Sequence, residues 1–541
     1  NPIVFKAYNN EQVVIGEDQS GAWPNDNDLS ISRGAISMRN VHHIHIEDLA
    51  FCQLGGWLFA RSCSDITIKN CLFERARHGA KGGARLVECH HCRITDNTFR
   101  ESAYDTMILV MSDYNLLTNN TLDTAGHSVL ALRGASYNVI RNNRFRNPRQ
   151  KLVEVYDQKL DTRDSINPSY IPVPAYNATQ HNVFENNVFG YQPYFKNRGA
   201  QPAAMQYSGQ SGIIRNNVFS NPVLAALDPK YPNRVAGGIG IYMRWGGSWT
   251  GWNGKKILGE AHEAGFVTRN RIYNNVFRGY DFGQVQISAD DAMKRVANPP
   301  PMKNVSDFRK YSFEKRYAFE DNIFKNNAFF DGKIVPHLNW TWVNKLAGRP
   351  VQVILRGRLH VTYFRHNNFF ARGPHSNELI YDQVSRQYYP ACSPKYFNAT
   401  YGTFSSNTQK DPLFVDPNSN NYHLRSDSPM IDAGGFLTIV TSPSGSGAQM
   451  TVEDAAYFYD GYDITGEVGD LIRLEGQESV ARIVDIDYDR NILKLNRSLT
   501  WKKGQGVSLN YVGSRPDVGA FEFTPDDHPS PIAGFSSPST R

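Results

Sequence analysis

The stretch NVIRNNRF at residues 138–145 decides the fold. It is one copy of a pattern, Asn-x-(Ile/Phe)-x-Asn-Asn-x-Phe, that recurs along the chain. Close copies are NVFENNVF at 182–189, NRIYNNVF at 270–277 and NIFKNNAF at 322–329. Looser copies lie at 43–51, 66–73, 92–99, 115–122, 212–219 and 362–369. An internal repeat of this kind indicates a stack of similar structural units.

The last residue of each copy gives the period of the repeat. The early copies end at Phe51, Phe73, Phe99, Leu122 and Phe145, so the steps are 22, 26, 23 and 23 residues. Apolar and polar residues alternate within each copy, which is the period of a strand. Each step therefore suits one coil of short strands, with asparagine side chains bonding the next coil and phenylalanine rings stacked in the core.

This pattern resembles the right-handed parallel β-helix of the pectin-lyase-like superfamily over residues 35–435. The resemblance implies an all-β fold, a right-handed single-stranded parallel β-helix of about 10–12 coils. It also implies a carbohydrate-active protein that is secreted, extracellular or periplasmic. Fold alone does not define an activity, so the function has to be argued from a site.

Four regions follow from the repeat and from where it fades. We expect the β-helix, with long groove-forming loops, over residues 1–435. Three strand-like runs predict a small β-barrel or sandwich at 436–512, inserted near the C-terminal cap. Residues 513–523 resemble a closing strand of the β-helix. Residues 524–541 are rich in Pro, Ser and Gly and predict a flexible tail.

Composition narrows the class of partner. The 541 residues are 40% hydrophobic, and no apolar run is long enough to span a bilayer. The chain opens on a strand-like segment without a signal peptide, as expected of a mature or truncated form. The net charge of +6 permits an acidic partner. Without a concentrated basic stripe, nucleic acid is not expected. The resemblance to the β-helix superfamily implies a polysaccharide partner instead.

A second strand precedes the Asn-Asn turn of each coil, and long insertions flank it in the later coils. These insertions predict walls on both sides of one sheet, and hence a groove. Strand alternation then separates the inward from the outward side chains. The candidate catalytic residues are Arg133, Tyr156, Arg244, Glu154, Asp157, Asp290 and His127. The candidate substrate-binding residues are Gln206, Tyr242, Trp245, Trp249, Gln286 and Arg356.

The first mechanism that fits these residues is β-elimination on a uronate. A base removes the proton next to the uronate carboxylate, while cations neutralise that carboxylate. Arg133, Arg244, Tyr156 and His127 supply the required residue types. The cation can also be a bound metal, with Ca²⁺ as an option, but the sequence commits to no cofactor.

The run from Leu130 to Gly134, LALRG, resembles the Leu-x-Leu-Arg coil of the alginate and chondroitin lyase β-helices. That resemblance implies a catalytic role for Arg133. One coil earlier, where that family carries a catalytic lysine, this chain has Val110 or Met111. The sequence therefore favours a polysaccharide lyase without supplying the complete motif.

Two alternatives stay open. Glu154, Asp157, Asp290 and Asp291 are carboxylates that could pair in a glycoside hydrolase. A non-catalytic glycan-binding or surface protein would also use stacked coils with aromatic side chains.

The cysteines and one acidic segment allow two further structural predictions. Cys63 and Cys89 align on adjacent coils, so either a disulfide or a stack of free thiols is expected. Residues 485–491, DIDYDRN, lack the Gly and terminal Glu of a calcium loop. Because strand-like runs flank them, we expect a hairpin turn there.

Overall fold

The computed structural model describes most of the chain. The described residues are 2–16, 35–77, 83–156, 178–190, 203–221, 238–244, 248–250, 256–259, 267–280, 282–288, 319–332, 334, 343–356, 362–383, 385–392 and 404–525. Of residue 10 and of 248–250, 256–259, 319–320 and 343–344 only the backbone is described. Most of the predicted groove insertions fall outside these ranges.

Three long sheets run the length of the described β-helix, and consecutive coils add one strand to each. Sheet A contains Ile3–Lys6, Ile44–Glu47, Thr67–Lys69, Arg93–Thr95, Leu116–Thr118, Val139–Arg141, Val183–Glu185, Ile213–Arg215, Arg271–Tyr273, Asn322–Lys325, Thr362–Arg365 and Phe404–Ser405. Sheet B contains Val13–Gly16, Leu49–Leu54, Leu72–Ala76, Thr98–Ser102, Thr121–Ala125, Arg144–Pro148, Val188–Gly190, Val218–Ser220, Val276–Arg278, Ala328–Phe330 and Asn368–Phe370. Sheet C contains Ile36–Arg39, Leu58–Arg61, Ala84–Val87, Met107–Val110, Ser128–Arg133, Lys151–Tyr156, Ala203–Tyr207, Ile239–Arg244, Val285–Ser288, Val353–Arg356, Ile380–Asp382 and Gln387–Tyr389.

All neighbouring strands within these sheets are parallel, except that Gln387–Tyr389 pairs antiparallel with Ile380–Asp382. With one strand per sheet in each coil, the fold is the right-handed parallel β-helix that the repeat predicted. The twelve described strands of sheet A and the eleven parallel strands of sheet C agree with the expected number of coils. Short strand pairs also form between Ser248–Thr250 and Lys256–Gly259, and between Val267–Thr268 and Phe319–Glu320. The described helical segments are the short 3₁₀ turns Tyr8–Asn10, Val343–Leu346, Pro417–Ser419 and Ala455–Tyr457.

The two asparagines of each Asn-Asn pair have different tasks. Asn142 has a φ of 57°, a left-handed conformation that asparagine tolerates better than most residues. It therefore makes the corner between sheets A and B. Asn143 is buried and belongs to a ladder in which each amide bonds the amide one coil away. The ladder members are Asn97, Asn120, Asn143, Asn187, Asn217, Asn275, Asn327, Asn367 and Asn407.

Replacing Asn143 by alanine should lower the free energy of unfolding by roughly 2–4 kcal/mol. The Asn143 Oδ1 accepts hydrogen bonds from the backbone N–H of Asn120 at 2.9 Å and from its side-chain amide at 3.0 Å. The variant leaves these buried donors unpaired, at about 1–3 kcal/mol each. Asn142→Gly is the matched control and should change stability by less than about 1 kcal/mol. Denaturant unfolding of both variants measures this, and equal losses would contradict the division of tasks.

The phenylalanine that ends each copy lies in the core of the β-helix. Neighbouring rings stack nearly parallel, with centroids 4.6 Å apart for Phe73 and Phe99 and 4.4 Å apart for Phe189 and Phe219. Cys63 and Cys89 are buried in the same core as free thiols, which settles the alternative left open by their alignment. The repeat therefore encodes both the corners and the core of the helix.

An antiparallel domain follows the last described coil. Its six strands are Thr438–Ile439, Gly445–Thr451, Leu471–Leu474, Val480–Asp487, Ile492–Trp501 and Gly506–Leu509. Residues 485–491 contain the turn between its two longest strands, as expected of a hairpin. We propose that this domain spans residues 436–512. We call it the inserted domain.

The inserted domain packs along the outer face of sheet A. Apolar side chains of that face, including Leu116, Val139, Val183 and Ile213, share one buried cluster with the core of the inserted domain. The guanidinium of Arg215 forms ion pairs with Asp470 and Glu185 within this interface. Sheet A is therefore covered by the inserted domain over these coils.

The segments on either side of the inserted domain cover part of sheet B. Phe414, Tyr422 and Met430 form a buried cluster with Val518 and with sheet-B residues of the later coils. Phe414–Asp416 and Asn421–Leu424 form a small antiparallel pair. The prediction of a closing strand at 513–523 is wrong, because no strand forms there. Its backbone instead bonds individual groups, with the Gly519 N–H donating to the Asn326 carbonyl at 2.9 Å. Residues 526–541 of the predicted tail lie outside the described residues.

Candidate active site

Sheet C carries two outward rows of polar side chains. In the first row, Ala131, Glu154, Gln206, Tyr242 and Gln286 occupy matching positions on successive strands. The inward neighbours of this row, such as Leu130 and Val153, lie in the β-helix core.

The second outward row lies beside the first. It contains Arg133 and, on the next strand, Tyr156. Further along the helix it contains Arg244, Ser288 and Arg356 on successive strands. Charged and aromatic groups therefore line sheet C at about 5 Å intervals.

The centre of the site is a pair formed by Asp105 and His127, each at the corner where the chain enters sheet C. The Asp105 Oδ1 lies 2.7 Å from the His127 Nδ1 and also accepts a hydrogen bond from the Ser128 N–H at 2.9 Å. Gly126 permits the corner to lie close to the coil below, because a Cβ there would meet the Ala103 carbonyl oxygen at 1.8 Å. The His127 ring consequently stacks on Tyr104 at a centroid distance of 4.9 Å.

Burial differs across this pair. The Asp105 side chain is fully buried, whereas the His127 side chain is 19% exposed. The His127 Nε2 has no hydrogen-bond partner within the described part of the chain. Asp105 therefore orients the ring and leaves one ring nitrogen available to a ligand.

Glu154 lies one coil further and is buried against Lys151, which donates to its Oε1. The Ser128 hydroxyl donates to the Glu154 Oε2 at 2.8 Å. The same Oε2 is 3.7 Å from the His127 Nδ1. Glu154 thus adds a second negative charge beside the imidazole.

Arg133 provides the positive charge of the site. Its guanidinium lies over the ring of Tyr156, 5.2 Å from the centroid, and its Nη2 is 4.0 Å from the Asp105 Oδ2. The side chain is 17% exposed, although its Nε is buried, so the guanidinium is partly exposed. Asp105 Oδ2 is itself buried without a hydrogen bond from any described residue.

The charges set the protonation states of these groups. Burial alone would lower the pKa of His127, but the carboxylates of Glu154 and Asp105 outweigh it and raise that pKa above its usual range. Burial would raise the pKa of Glu154, but Lys151 and His127 hold it at about 2. Burial, with help from Asp105, raises the pKa of Tyr104. Near neutral pH Glu154 is therefore ionised and Tyr104 keeps its proton.

One group of three described residues has the side-chain types that bind metal ions: Asp105, His127 and Glu154. Their ligand atoms lie within 4.8 Å of one another. Lys151 and Arg133 already balance the two carboxylates. A divalent cation would add two positive charges beside them. The charges of this site therefore do not fit a resident metal ion.

The structure brings four of the predicted catalytic residues together: Arg133, Tyr156, Glu154 and His127. Arg244 lies three coils from Arg133, roughly 14 Å away at the spacing of parallel strands, and cannot act on the same sugar. Gln206, Tyr242 and Gln286 lie in the first row, and Arg356 lies in the second. Asp157, Asp290, Asp291 and Trp245 are outside the described residues, and of Trp249 only the backbone is described.

Sequence reasoning missed Asp105 and Lys151. Asp105 directly follows Tyr104, which occupies the same position as His127 on the preceding coil, and that alignment was the available signal. Lys151 pairs in register with Ser128 at the start of the next strand. Asp105 lies at the corner before sheet C, and Lys151 lies at the first position of its strand.

The sheets, the coil stacking and the asparagine ladders define a right-handed parallel β-helix. A family model described as periplasmic copper-binding protein (NosD) matches residues 1–234, which is less than half of the chain. No curated protein matches the chain.

Several solved structures resemble it weakly. An alginate lyase from Paenibacillus sp. is 13% identical and has a TM-score of 0.34, covering 63% of this chain and 91% of its own. A DFA-IIIase from Arthrobacter chlorophenolicus is 13% identical with a TM-score of 0.28, covering 46% of this chain and 53% of its own. The periplasmic alginate epimerase AlgG is 9% identical with a TM-score of 0.26, covering 61% and 52%. At these identities and scores none of them assigns an activity to this chain.

Proposed function

We propose that this protein is a lyase that cleaves an acidic, uronate-containing polysaccharide by β-elimination on sheet C. The observation that carries the proposal is the Asp105–His127 pair beside Arg133. An oriented imidazole with a free nitrogen is a general base, and an accessible guanidinium neutralises a carboxylate.

The reaction assigns one role to each group. The neutral His127 Nε2 removes the proton on the carbon that bears the uronate carboxylate, while Arg133 binds that carboxylate and stabilises the carbanion. The electron pair then forms a carbon–carbon double bond and expels the glycosidic oxygen. Tyr104, which keeps its proton, donates it to that oxygen. Asp105 stabilises the imidazolium that forms.

A glycoside hydrolase fits the same residues less well. It needs one carboxylic acid that is protonated and reaches the glycosidic oxygen. Asp105 is fully buried and accepts two hydrogen bonds. Burial would raise the pKa of Glu154, but the positive charges of Lys151 and His127 outweigh burial and hold that pKa at about 2. Neither carboxyl group suits the acid role, although Asp157 and Asp290 are not among the described residues.

The first row supplies hydrogen-bonding groups beyond the catalytic pair. Both side-chain polar atoms of Gln206 and of Gln286 are buried without a partner among the described residues. In the opposite direction the sheet is apolar, with Val87, Ile108 and Val110 in one cluster. Unpaired buried amides are costly, so we assign Gln206 and Gln286 to binding the polysaccharide.

The proposed location is the periplasm or the extracellular space, where such a polysaccharide occurs. The matched family is described as periplasmic, which supports this location. No described helix is long and apolar enough to cross a membrane. Among the described residues, the one triad of metal-ligand type has two carboxylates, whereas copper favours imidazole, thiolate and thioether ligands, so this triad does not support the copper binding in that family's description.

A panel of uronate and neutral polysaccharides tests the proposal. A lyase gives an unsaturated product with ultraviolet absorbance, a hydrolase gives reducing ends without that absorbance, and a binding protein gives neither. Arg133→Ala should remove most of the activity. If uronate cleavage survives Arg133→Ala in a folded protein, the proposed site around Arg133 is wrong.

The pH profile should have an acidic limb above the usual pKa of histidine. The base must be neutral, and its pKa is raised by Glu154 and Asp105, so activity is lost as the pH falls through that raised value. Glu154→Gln removes one of the two charges and should move the limb to lower pH. Initial rates across pH for both proteins measure the shift. An unmoved limb would mean that another group is the base.

A further inference from the structure

The inserted domain and sheet A enclose a second cleft, away from the catalytic pair. Its volume is about 600 Å³. Sheet A contributes Lys325 and Arg365, and the inserted domain contributes Glu453, Asp454 and Tyr457. The proposed lyase reaction uses none of these residues.

Lys325 is a buried cation in this cleft. The residue is only 8% exposed, and its Nζ donates to the Leu437 carbonyl at 3.2 Å. Its Nζ also lies 5.7 Å from the centre of the Tyr457 ring. No described carboxylate lies within 4.0 Å of this ammonium, although buried charges are normally paired.

Arg365 repeats the same charge on the next coil. The two residues are register partners on adjacent parallel strands, where like charges repel. The Arg365 guanidinium lies over the Tyr363 ring at 4.8 Å and forms no ion pair with any described residue. Burial, and then the charge of Arg365, lowers the pKa of Lys325 to about 8.

Other buried cations on the same face have acidic partners. Arg215 bonds both carboxylate oxygens of Asp470. Arg271 pairs with Asp321 at 2.9 Å and with Asp454 at 2.8 Å. Lys325 and Arg365 therefore differ from their neighbours in having no carboxylate partner in the described part of the chain, and they share a cavity large enough for a small ligand.

We propose that Lys325 and Arg365 form a binding site for an oxyanion, such as a sulfate, a phosphate or the carboxylate of a small acidic sugar. The ammonium has donors left over after its bond to Leu437, and a guanidinium binds oxyanions through paired N–H groups. One anion bound between Lys325 and Arg365 offsets the repulsion between these two cations. Because the two cations come together only in the folded chain, binding of the anion stabilises the folded state.

The charges that surround the site limit what it binds. Arg269 and His181 on the sheet side add positive charge or donors, while Asp321, Glu453, Asp454 and Asp489 add negative charge. Of the acids, Asp321 and Asp454 are occupied by Arg271. The negative charge of Glu453 acts on Lys325 across the cleft, so Glu453→Gln should tighten anion binding.

Thermal unfolding of the full chain in sodium sulfate, phosphate or galacturonate, against sodium chloride of equal ionic strength, tests the site. The melting temperature should rise with the oxyanion and saturate. Lys325→Met should weaken the apparent affinity at least about tenfold, since charge-assisted hydrogen bonds are lost. Arg365→Gln should weaken it as well. Lys494→Met, which removes an exposed cation of the inserted domain, is the matched control and should respond like the wild type.

The melting temperature of Lys325→Met in chloride distinguishes an anion-binding role of Lys325 from a purely structural role. Lys325→Met removes a buried unpaired charge, so its melting temperature in chloride should equal or exceed that of the wild type. A fall in that temperature together with an unchanged sulfate response would overturn the proposal. A response to galacturonate alone identifies a sugar site, and an equal response to sulfate identifies an inorganic anion site. Lyase activity is a separate readout, so its absence leaves this test intact.

Discussion

His127→Ala should reduce the formation of unsaturated product by about 10²–10⁴-fold, the usual contribution of a general base. The imidazole is the accessible member of the Asp105–His127 pair, and its Nε2 is unbonded within the described residues. The loss should fall on kcat, because the ring acts on a proton that moves only in the transition state. Initial rates on the best uronate polymer measure it.

His91→Ala is the matched control for this variant. His91 also stacks on a tyrosine of an adjacent coil, Tyr114, with ring centroids 5.4 Å apart, but it lies at the corner where the chain leaves sheet C for sheet A, not where it enters sheet C. It should keep wild-type activity. Asp105→Asn should lower the rate as well, since the carboxylate that orients the ring is lost. Equal rates for His127→Ala and His91→Ala, in folded proteins, would remove His127 from the mechanism.

Arg215→Met should lower the free energy of unfolding by about 3–5 kcal/mol, the cost of breaking a buried ion pair from one side. The guanidinium bonds Asp470 at 2.6 and 2.7 Å and Glu185 at 3.1 Å. Its removal leaves two carboxylates facing each other in the interface between sheet A and the inserted domain. Denaturant unfolding measures the loss.

The double variant Arg215→Met with Asp470→Leu should recover part of that loss, because one of the stranded charges is gone. Arg425→Met is the control. Its ion pair with Asp427 is exposed on both sides, so the change should stay below about 1 kcal/mol. If Arg215→Met were as mild as this control, the interface would not depend on its buried charges.

The fold could be predicted from the sequence because the repeat encodes it locally. The first asparagine of each pair makes the corner, the second forms the ladder and the phenylalanine fills the core. Each of these tasks needs a particular residue type at a fixed spacing. The docking of the inserted domain could not be predicted, since Arg215 and Asp470 are far apart in sequence and nothing local relates them.

The candidate site was predicted in part. Arg133, Tyr156 and Glu154 follow from alternation along sheet C. Alternation fails at the start of these strands, where Val129 and Leu130 both lie in the core. Lys151 and Asp105 therefore could not be placed by counting, because the chain is still turning into the sheet at those positions.

The inserted domain also changes how the coils unfold. A stack of repeats in which each unit contacts only its neighbours can fray from either end, one unit at a time. Here Arg93 contacts the Thr465 carbonyl and Lys325 contacts the Leu437 carbonyl, and the span from one anchor to the other covers seven consecutive strands of sheet A, counting the two that carry the anchors. The inserted domain connects these coils to one another, so opening any one coil in this span also disrupts the contacts between that coil and the domain. Hydrogen exchange in this span should accordingly be slow and uniform, with faster exchange confined to the coils outside it.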